Sequence, residues 1–557
     1  MTPPVTTSPD NKTGNSQSSA WSPFGQTTFA VLWLATVLSN VGTWMHDVGA
    51  GWLMTVLSPS PFVVAAVQAA TTLPVFMFAL LAGAIADIVD RRRLLIGANI
   101  FMAIVAGSLA LLVSLDLVTP AILLVFTFLL GTGAAFMAPA WQAIVPSLVP
   151  RPQLSTAIAL NSMGINVSRA IGPALAGLLI AAVSLAAPFA FNAISFLGII
   201  AALVWWKPTL EKESRLPPER IGSAIVVGLR YALNSGPLRA TLLRSVAFFI
   251  FASALWSMLP LVARVVLEGD ATLYGVLLAS VGVGAVLSAL MMPSIKSRLG
   301  ANGTVAAGMI GTSAVLFVLA MFPVKAVAIA AAGVAGVCWI GVLSSLQVSV
   351  QTSLPNWVRA RGLSIYLTVF FGSMSVGSLI WGQIATVTSI ETALLIAAVG
   401  AVVVVPLTWR FKLNQGEGMD LAPSMHWPAP IEPELDSSDR GPVLLQTTYR
   451  VAESNRKKFV TLMQEFAASR RRNGGYNWSL MQDTEDPSMF IETWYESSWI
   501  DHLRHHERVT GADKETQAII WALHEGGERP PIKHYVSADA HAAFRDAAPQ
   551  SKPALTT

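Results

Sequence analysis

Twelve apolar stretches, each close to the twenty or so residues that a helix needs to cross a bilayer core, dominate the chain. They fall at about 27–50, 61–84, 94–115, 120–143, 155–183, 187–206, 241–263, 273–293, 303–323, 326–348, 363–388 and 391–410. Gly and Pro inside them, among others Pro74, Gly131, Pro139, Gly282 and Gly284, are tolerated in membrane helices and favour close packing there. Composition agrees, with 53% hydrophobic and 12% charged residues against about 25% charged in soluble domains. The net charge of +4 implies no nucleic-acid partner, because the position of the basic residues matters more than their sum. Cys338 lies inside an apolar run, so neither a disulfide nor thiol chemistry is expected.

Basic residues orient the spans. With a cytoplasmic N-terminus, the even-to-odd loops collect Arg91, Arg92, Arg93, Arg151, Lys207, Arg230, Arg239, Lys296, Arg298, Arg359 and Arg361, whereas the opposite loops hold little beyond Arg264 and Lys325. An even number of spans returns the C-terminus to the cytoplasm. Residues 1–25, rich in Ser, Thr, Pro and Asn, lack the apolar core of a cleavable signal and read as a disordered cytoplasmic tail.

A polar-to-amphipathic linker over 207–240 divides six spans from six, giving halves at 26–206 and 241–411. The halves echo each other. "SLVPRPQLSTAIALNSMG" from residue 147 parallels "SLPNWVRARGLSIYLTVFFGSMSVG" from residue 353, the mark of six-helix repeats related by an axis along the membrane normal.

Between the second and third spans lies "GAIADIVDRRRLL". Its Gly83, Asp87, Arg91 and Arg92 resemble the loop signature of the major facilitator superfamily, although Asp90 stands where that family usually has a second glycine. "GPALAG", with Gly172, Pro173 and Gly177, resembles the family's fifth-helix signature, with Ala176 in place of a glycine. More narrowly, "NVGTWMHDVGAGWLM" and "NVSRAIGPALAG" resemble the bacterial branch that includes the enterobactin exporter and the transmembrane secretion effectors. The resemblance covers about residues 25–411. It implies a conformational latch at Gly83, Asp87, Arg91, Arg92, Gly172, Pro173 and Gly177, and efflux of small amphipathic molecules such as siderophores or drugs by proton antiport, in a bacterial inner membrane.

Physical reasoning supports the latch independently. A carboxylate at Asp87 is favourable if it faces the N-terminal amides of the eleventh helix, near Gly362, Leu363 and Ser364, and Arg91 can return to hold it; the alternative is a positive-inside loop that only fixes topology. Within the spans, charges are expensive and therefore informative. Asp47 in the first span and Arg169 in the fifth are the two singled out, Asp47 either as a proton carrier or as half of a structural pair. His46, Asn40, Gln142 and Trp339 join them as candidates for the proton and substrate pathway, with Trp141, Trp256, Phe370 and Trp381 as further candidate cavity residues.

Residues 412–440 read as a linker. After it, the order strand, helix, hairpin, helix, strand over 441–540 predicts a ferredoxin-like soluble domain, and 541–557 a disordered tail. The pattern resembles antibiotic-biosynthesis-monooxygenase-like domains, which implies a homodimer through residues 441–540. His502, His505 and His506 in "HLRHH" lack a completing ligand set and read as solvated helix surface; no metal site and no cofactor are expected. The fold expected is thus an all-α polytopic membrane protein of twelve transmembrane helices plus an α+β domain. Two functions follow: a secondary transporter working by alternating access on a small molecule, protons and the bilayer, or a membrane-tethered cofactorless monooxygenase or sensor acting through 441–540.

Overall fold

The computed structural model describes residues 21–207, 221–414, 420–424, 426–427, 440–526 and 529–537. Most of the expected N-terminal tail, most of the 412–440 linker and the tail after 537 lie outside the described residues. Residues 22–25, expected in the tail, instead form a short 3-10 turn whose Phe24 ring packs at 5.7 Å on Phe29 and 5.0 Å on Trp33.

The first half contains α1 (Thr27–Leu57), α2 (Pro61–Ile88), α3 (Arg91–Ser114), α4 (Pro120–Ile144), α5 (Leu154–Ala182) and α6 (Ala187–Trp205). Four of its helices, α2, α3, α4 and α6, start where the sequence supplies a proline or a cap: Pro61, Pro120 and Pro188 open α2, α4 and α6, where a missing amide hydrogen costs nothing. Asp90, the departure from the loop signature, is the N-cap of α3, its Oδ1 accepting from the Arg93 amide at 2.8 Å. The linker between the halves holds α7 (Ile221–Asn234). The second half begins at α8 (Gly236–Leu261), five residues earlier than expected because Pro237 starts it. It continues through α9 (Ala271–Met321), α10 (Lys325–Thr352), α11 (Arg359–Val387) and α12 (Ile390–Thr408).

Eleven of the described helices are long and apolar enough to span a bilayer, against twelve apolar runs. The difference lies in α9, whose 51 residues would extend about 77 Å at 1.5 Å each, more than twice a bilayer core of about 30 Å. Gly300 breaks it with φ 63° and ψ 178°, a conformation that a Cβ makes costly. Residues on both sides of the break then meet one short stretch of α10. Gly284 faces Gly333 and Gly336 faces Val281, while Gly308 and Gly311 face Val342 and Cys338. In a straight helix residues 281 and 311 would stand about 45 Å apart, so the two segments of α9 double back and carry two of the twelve runs.

At the end of the bundle formed by the loops around residues 58–60 and 262–270, the halves share one apolar core, which takes Val48, Leu53 and Val64 from the first half and Leu255, Val281 and Trp381 from the second. Toward the end that carries the arginine loops there are two cores. One, with Leu95, Met102 and Leu160, belongs to the first half; the other, with Phe249, Val305 and Leu346, belongs to the second.

Two helix pairs build the shared region. α2 runs along α11, from the Phe62 amide on Thr386 Oγ1 (3.0 Å) through Thr72 Oγ1 on Ser375 Oγ (2.7 Å) to Phe76 over Gly372. α5 crosses α9 where Gly177 meets Ala271 and Gly275, and where Gly282 meets Ala170. Arg264 Nη1 donates to Thr55 Oγ1 at 3.2 Å across the same end.

The soluble domain comprises β1 (Val443–Arg450), α13 (Arg456–Arg472), β2 (Tyr476–Gln482), β3 (Met489–Glu496), α14 (Trp499–Arg508), α15 (Gly511–Trp521) and β4 (Ile532–Val536). Its antiparallel sheet has the order β2-β3-β1-β4. Strict alternation in β1 and β3 turns Val443, Leu445, Tyr449, Phe490 and Trp494 toward the helices. The domain rests on the linker helix and on the second half: Arg230 of α7 donates to the Gly474 carbonyl at 3.1 Å, and the Arg508 guanidinium lies 4.6 Å from the Trp357 ring at the head of α11.

Candidate functional site

A cavity of about 320 Å³ lies between the halves where they converge. Its two walls differ in chemistry. The first half contributes Trp44, Asp47, Gln68, Thr71, Thr72 and Arg169, and the second contributes Trp256, Tyr274, Trp339, Phe370, Phe371 and Met374.

Asp47 is brought to the cavity by the face of α1 that also carries Gly51, one turn on. A Cβ at Gly51 would stand 2.9 Å from the Tyr274 hydroxyl oxygen, so glycine there lets the second half close over this face. Arg169 sits on α5 where Gly282 of α9 presses against the Arg169 and Ala170 backbone. Its guanidinium carbon is 5.5 Å from the Trp44 ring centroid, and its Nε and Nη1 are buried with no hydrogen-bond partner. Among the described residues no ion pair joins Arg169 to Asp47. The cavity thus holds one acidic and one basic side chain with no ion pair between them. On the facing wall, Trp339 meets Trp256 at 5.1 Å and Phe249 at 5.6 Å, and Phe249 meets Phe370 at 4.3 Å. Rings edge to face at these separations form a stiff apolar surface.

Of the residues expected from the sequence, Asp47, Arg169, Trp339, Trp256 and Phe370 line the cavity. His46, Asn40, Gln142, Trp141 and Trp381 do not; Trp141 Nε1 instead donates to Asn161 Oδ1 at 3.3 Å and Trp381 Nε1 to the Ile250 carbonyl at 2.7 Å. Neighbours on a helix point about 100° apart, so placing Asp47 in the cavity turns His46 away, into an edge-to-face contact with Phe189 at 5.0 Å, with neither ring nitrogen hydrogen-bonded. Gln142 is exposed near the end of α4. Gln68, Thr71 and Thr72 were not anticipated. Their spacing of three and four residues within an apolar span was the available signal, since it collects polar groups on one helical face.

The residues expected in the latch divide between opposite ends of the molecule. Gly172, Pro173 and Gly177 belong to the convergent end, where Gly172 packs on Trp44 and the Pro173 carbonyl faces Gly275. Gly83, Arg91 and Arg92 lie at the divergent end. There Arg92 donates to the carbonyls of Leu203 (2.7 Å) and Val204 (2.6 Å), and Arg91 Nη1 reaches the Ala143 carbonyl at 3.4 Å; all three acceptors are in their own half. The Asp87 side chain lies outside the described residues.

A family model described as transmembrane secretion effector matches residues 18–542. The chain belongs to that family. It is 24% identical over 271 residues to the staphyloferrin A transporter of Staphylococcus aureus, covering 48% of this chain and 67% of that one. With the multidrug efflux pump Tap of Mycolicibacterium fortuitum it shares 22% identity over 377 residues, 65% of this chain and 90% of that pump. With macrolide efflux protein A of Streptococcus pyogenes it shares 26% over 177 residues, 32% and 42% of the respective chains.

Solved structures agree on the fold. The nucleoside transporter NupG superposes with a TM-score of 0.58 at 13% identity over 69% of this chain and 99% of its own. A bacterial homologue of the lysosomal transporter Spinster, in an inward-facing unoccupied conformation, gives 0.51 at 15% identity over 70% and 96%. The effector family and these relatives are transporters and not enzymes.

Within this transporter the soluble domain corrects one expectation. His502 and His505 are not solvated surface: they are 0% and 1% exposed, and each presents Nδ1 to Glu496. The strand that supplies Glu496 lies beneath α14, a pairing invisible in linear spacing. Burial alone pushes the Glu496 carboxyl up, but the charge and hydrogen bonds of His505 and His502 prevail and hold it well below the usual carboxylate range. Two turns of strand away, Glu492 accepts from Arg470 Nε and Trp478 Nε1, both at 3.0 Å, and from the Tyr449 hydroxyl.

Proposed function

We propose that the chain is a proton-coupled secondary exporter of small amphipathic molecules, siderophore-like or drug-like, working by alternating access. The observation that carries this reading is the two-walled cavity at the junction of the halves, charged on one side and aromatic on the other. An amphipathic cargo lays its apolar body on Trp256, Trp339 and Phe370 and its polar groups against Asp47, Arg169 and Gln68. The printed functions of the relatives, staphyloferrin, macrolide and multidrug transport, supply the cargo class.

In this reading Asp47 carries the proton and Arg169 modulates it. The shared core at one end and the divided cores at the other correspond to a state open toward the arginine loops, and the positive-inside rule makes that side the cytoplasm, with both termini there and the chain in a bacterial inner membrane. In this reading the latch between Asp87, Arg91 and the head of α11 belongs to the opposite state, in which the cytoplasmic side is closed.

We further read residues 441–540 as a ferredoxin-like domain, on the strength of the order β2-β3-β1-β4. It pairs with a second copy through the sheet face that bears Leu444, Tyr495 and Tyr535, which sit in adjacent register. The test is efflux of a catecholate siderophore, a lipophilic cation and a lipophilic weak acid from cells or everted vesicles, with and without an uncoupler. Uncoupler-sensitive movement of one compound is the expected result. Movement of none, with insertion verified, refutes the proposal.

A further inference from the structure

α14 sets His502 and His506 one turn apart on the same face, and their Nε2 atoms stand 3.3 Å from each other. Two imidazole nitrogens bound at about 2.0–2.1 Å to one tetrahedral ion are separated by about 3.4 Å. The pair therefore already has the spacing of two ligands on a common ion, in the i, i+4 helical arrangement that zinc-binding helices use.

The surroundings fix which nitrogen is available. Glu496 Oε2 lies 2.8 Å from His502 Nδ1. A carboxylate accepts there, so the proton of neutral His502 sits on Nδ1 and the lone pair of Nε2 faces His506. A carboxylate behind a ligating imidazole orients the ring and raises its basicity toward a metal. The other oxygen of Glu496 is held by Trp494 Nε1 at 2.9 Å and by His505, which keeps the carboxylate in place.

A third imidazole is adjacent. His534, on edge strand β4, has its ring centroid 4.8 Å from that of His502, and Trp427 and Trp499 pack beside His506 and His502 at 4.8 and 5.2 Å.

We propose that His502 and His506, joined by His534, bind a divalent ion of the zinc class, with Glu496 holding His502 in its ligating tautomer and water completing the tetrahedron. Among the described residues no three ligating side chains already converge on one point; His534, paired in register with the helix-facing Leu445 and one ring away from His502, closes onto the pair when the ion binds.

The experiment titrates Co2+ into the full-length, tag-free chain in detergent at neutral pH and follows the visible d–d bands of the four-coordinate ion. Expected are such bands, saturating at one equivalent per chain and abolished by added Zn2+. His506→Gln and His534→Gln each weaken binding by about tenfold or more, the loss that even an outer-shell change produces, while near-ultraviolet circular dichroism verifies that both variants remain folded. Absence of four-coordinate bands in the parent overturns the proposal and leaves the pair as an N–H···N hydrogen bond. Undiminished affinity in His506→Gln overturns it too, and undiminished affinity in His534→Gln overturns the third ligand.

Discussion

Replacing Gly177 by valine should open the convergent end of the transporter. A Cβ at this position would lie 2.8 Å from the Ala271 carbonyl oxygen and 3.2 Å from the Thr272 Cα, where ordinary contacts begin at 3.4 Å. The shortfall of 0.6 Å is against backbone, so no side-chain rotation relieves it, and α5 and α9 must separate. Overpacking of this kind costs about 1–3 kcal/mol. Only the state in which α5 touches α9 at Gly177 bears that cost, so the equilibrium shifts toward the opposite-facing state by roughly 5- to 150-fold. The assay uses a Cys338→Ser background with Gln68→Cys in the cavity and a membrane-impermeant maleimide added outside. Labelling should rise in Gly177→Val and fall in efflux-competent parent. Equal labelling in the two, with equal amounts inserted, would refute the reasoning.

Asp47→Asn should abolish uncoupler-sensitive transport while leaving insertion and thermal stability near the parent; undiminished proton-coupled flux removes Asp47 from the carrier role. Asp87→Asn should slow turnover, measured as initial efflux rate, because the proposed latch loses its carboxylate; an unchanged rate and unchanged cavity accessibility exclude the latch. In the soluble domain, Arg470→Met leaves Glu492 buried without its cation. That should cost about 3–5 kcal/mol, read as a fall in the melting temperature followed by proteolysis of residues 441–537; the pair is only 2% and 0% exposed. Acidification should weaken the same domain: burial lowers His505 and His506, the latter to about 4, so their contribution is present above the ordinary value near 6.5 and is lost as pH falls from there toward 4. A melting temperature flat between pH 7 and 4 contradicts this.

The membrane helices were legible because each apolar run carries its own evidence: a length of about twenty residues and hydrogen bonds that close within the segment. The exceptions have local physical reasons. Two runs appear as one helix because the reversal at Gly300 occupies a single residue. α8 began early because Pro237 initiates it, and Phe24 draws residues 22–25 onto α1. Asp47 and Arg169 were legible as rare charges inside apolar spans, but His46 was indistinguishable from Asp47 by composition, and only the rotation of α1 separates them. Gln142 and Asn40 lie outside the cavity lining for a similar reason, since a polar residue in a span does not reveal which way it faces.

What the sequence by itself determined is what is encoded within about twenty consecutive residues: the spans, the basic loops, and the strand and helix order after residue 440, except that the single helix expected before the last strand is two, α14 and α15. Only the tertiary structure decided what depends on residues far apart in the chain. It placed a charged wall from the first half opposite an aromatic wall from the second, set Gly177 against Gly275, and brought Glu496 and His534 to the histidines of α14. Contact across such distances is fixed by how whole faces pack, because each helix or strand buries its face against whichever partner complements it, and no local pattern specifies that partner.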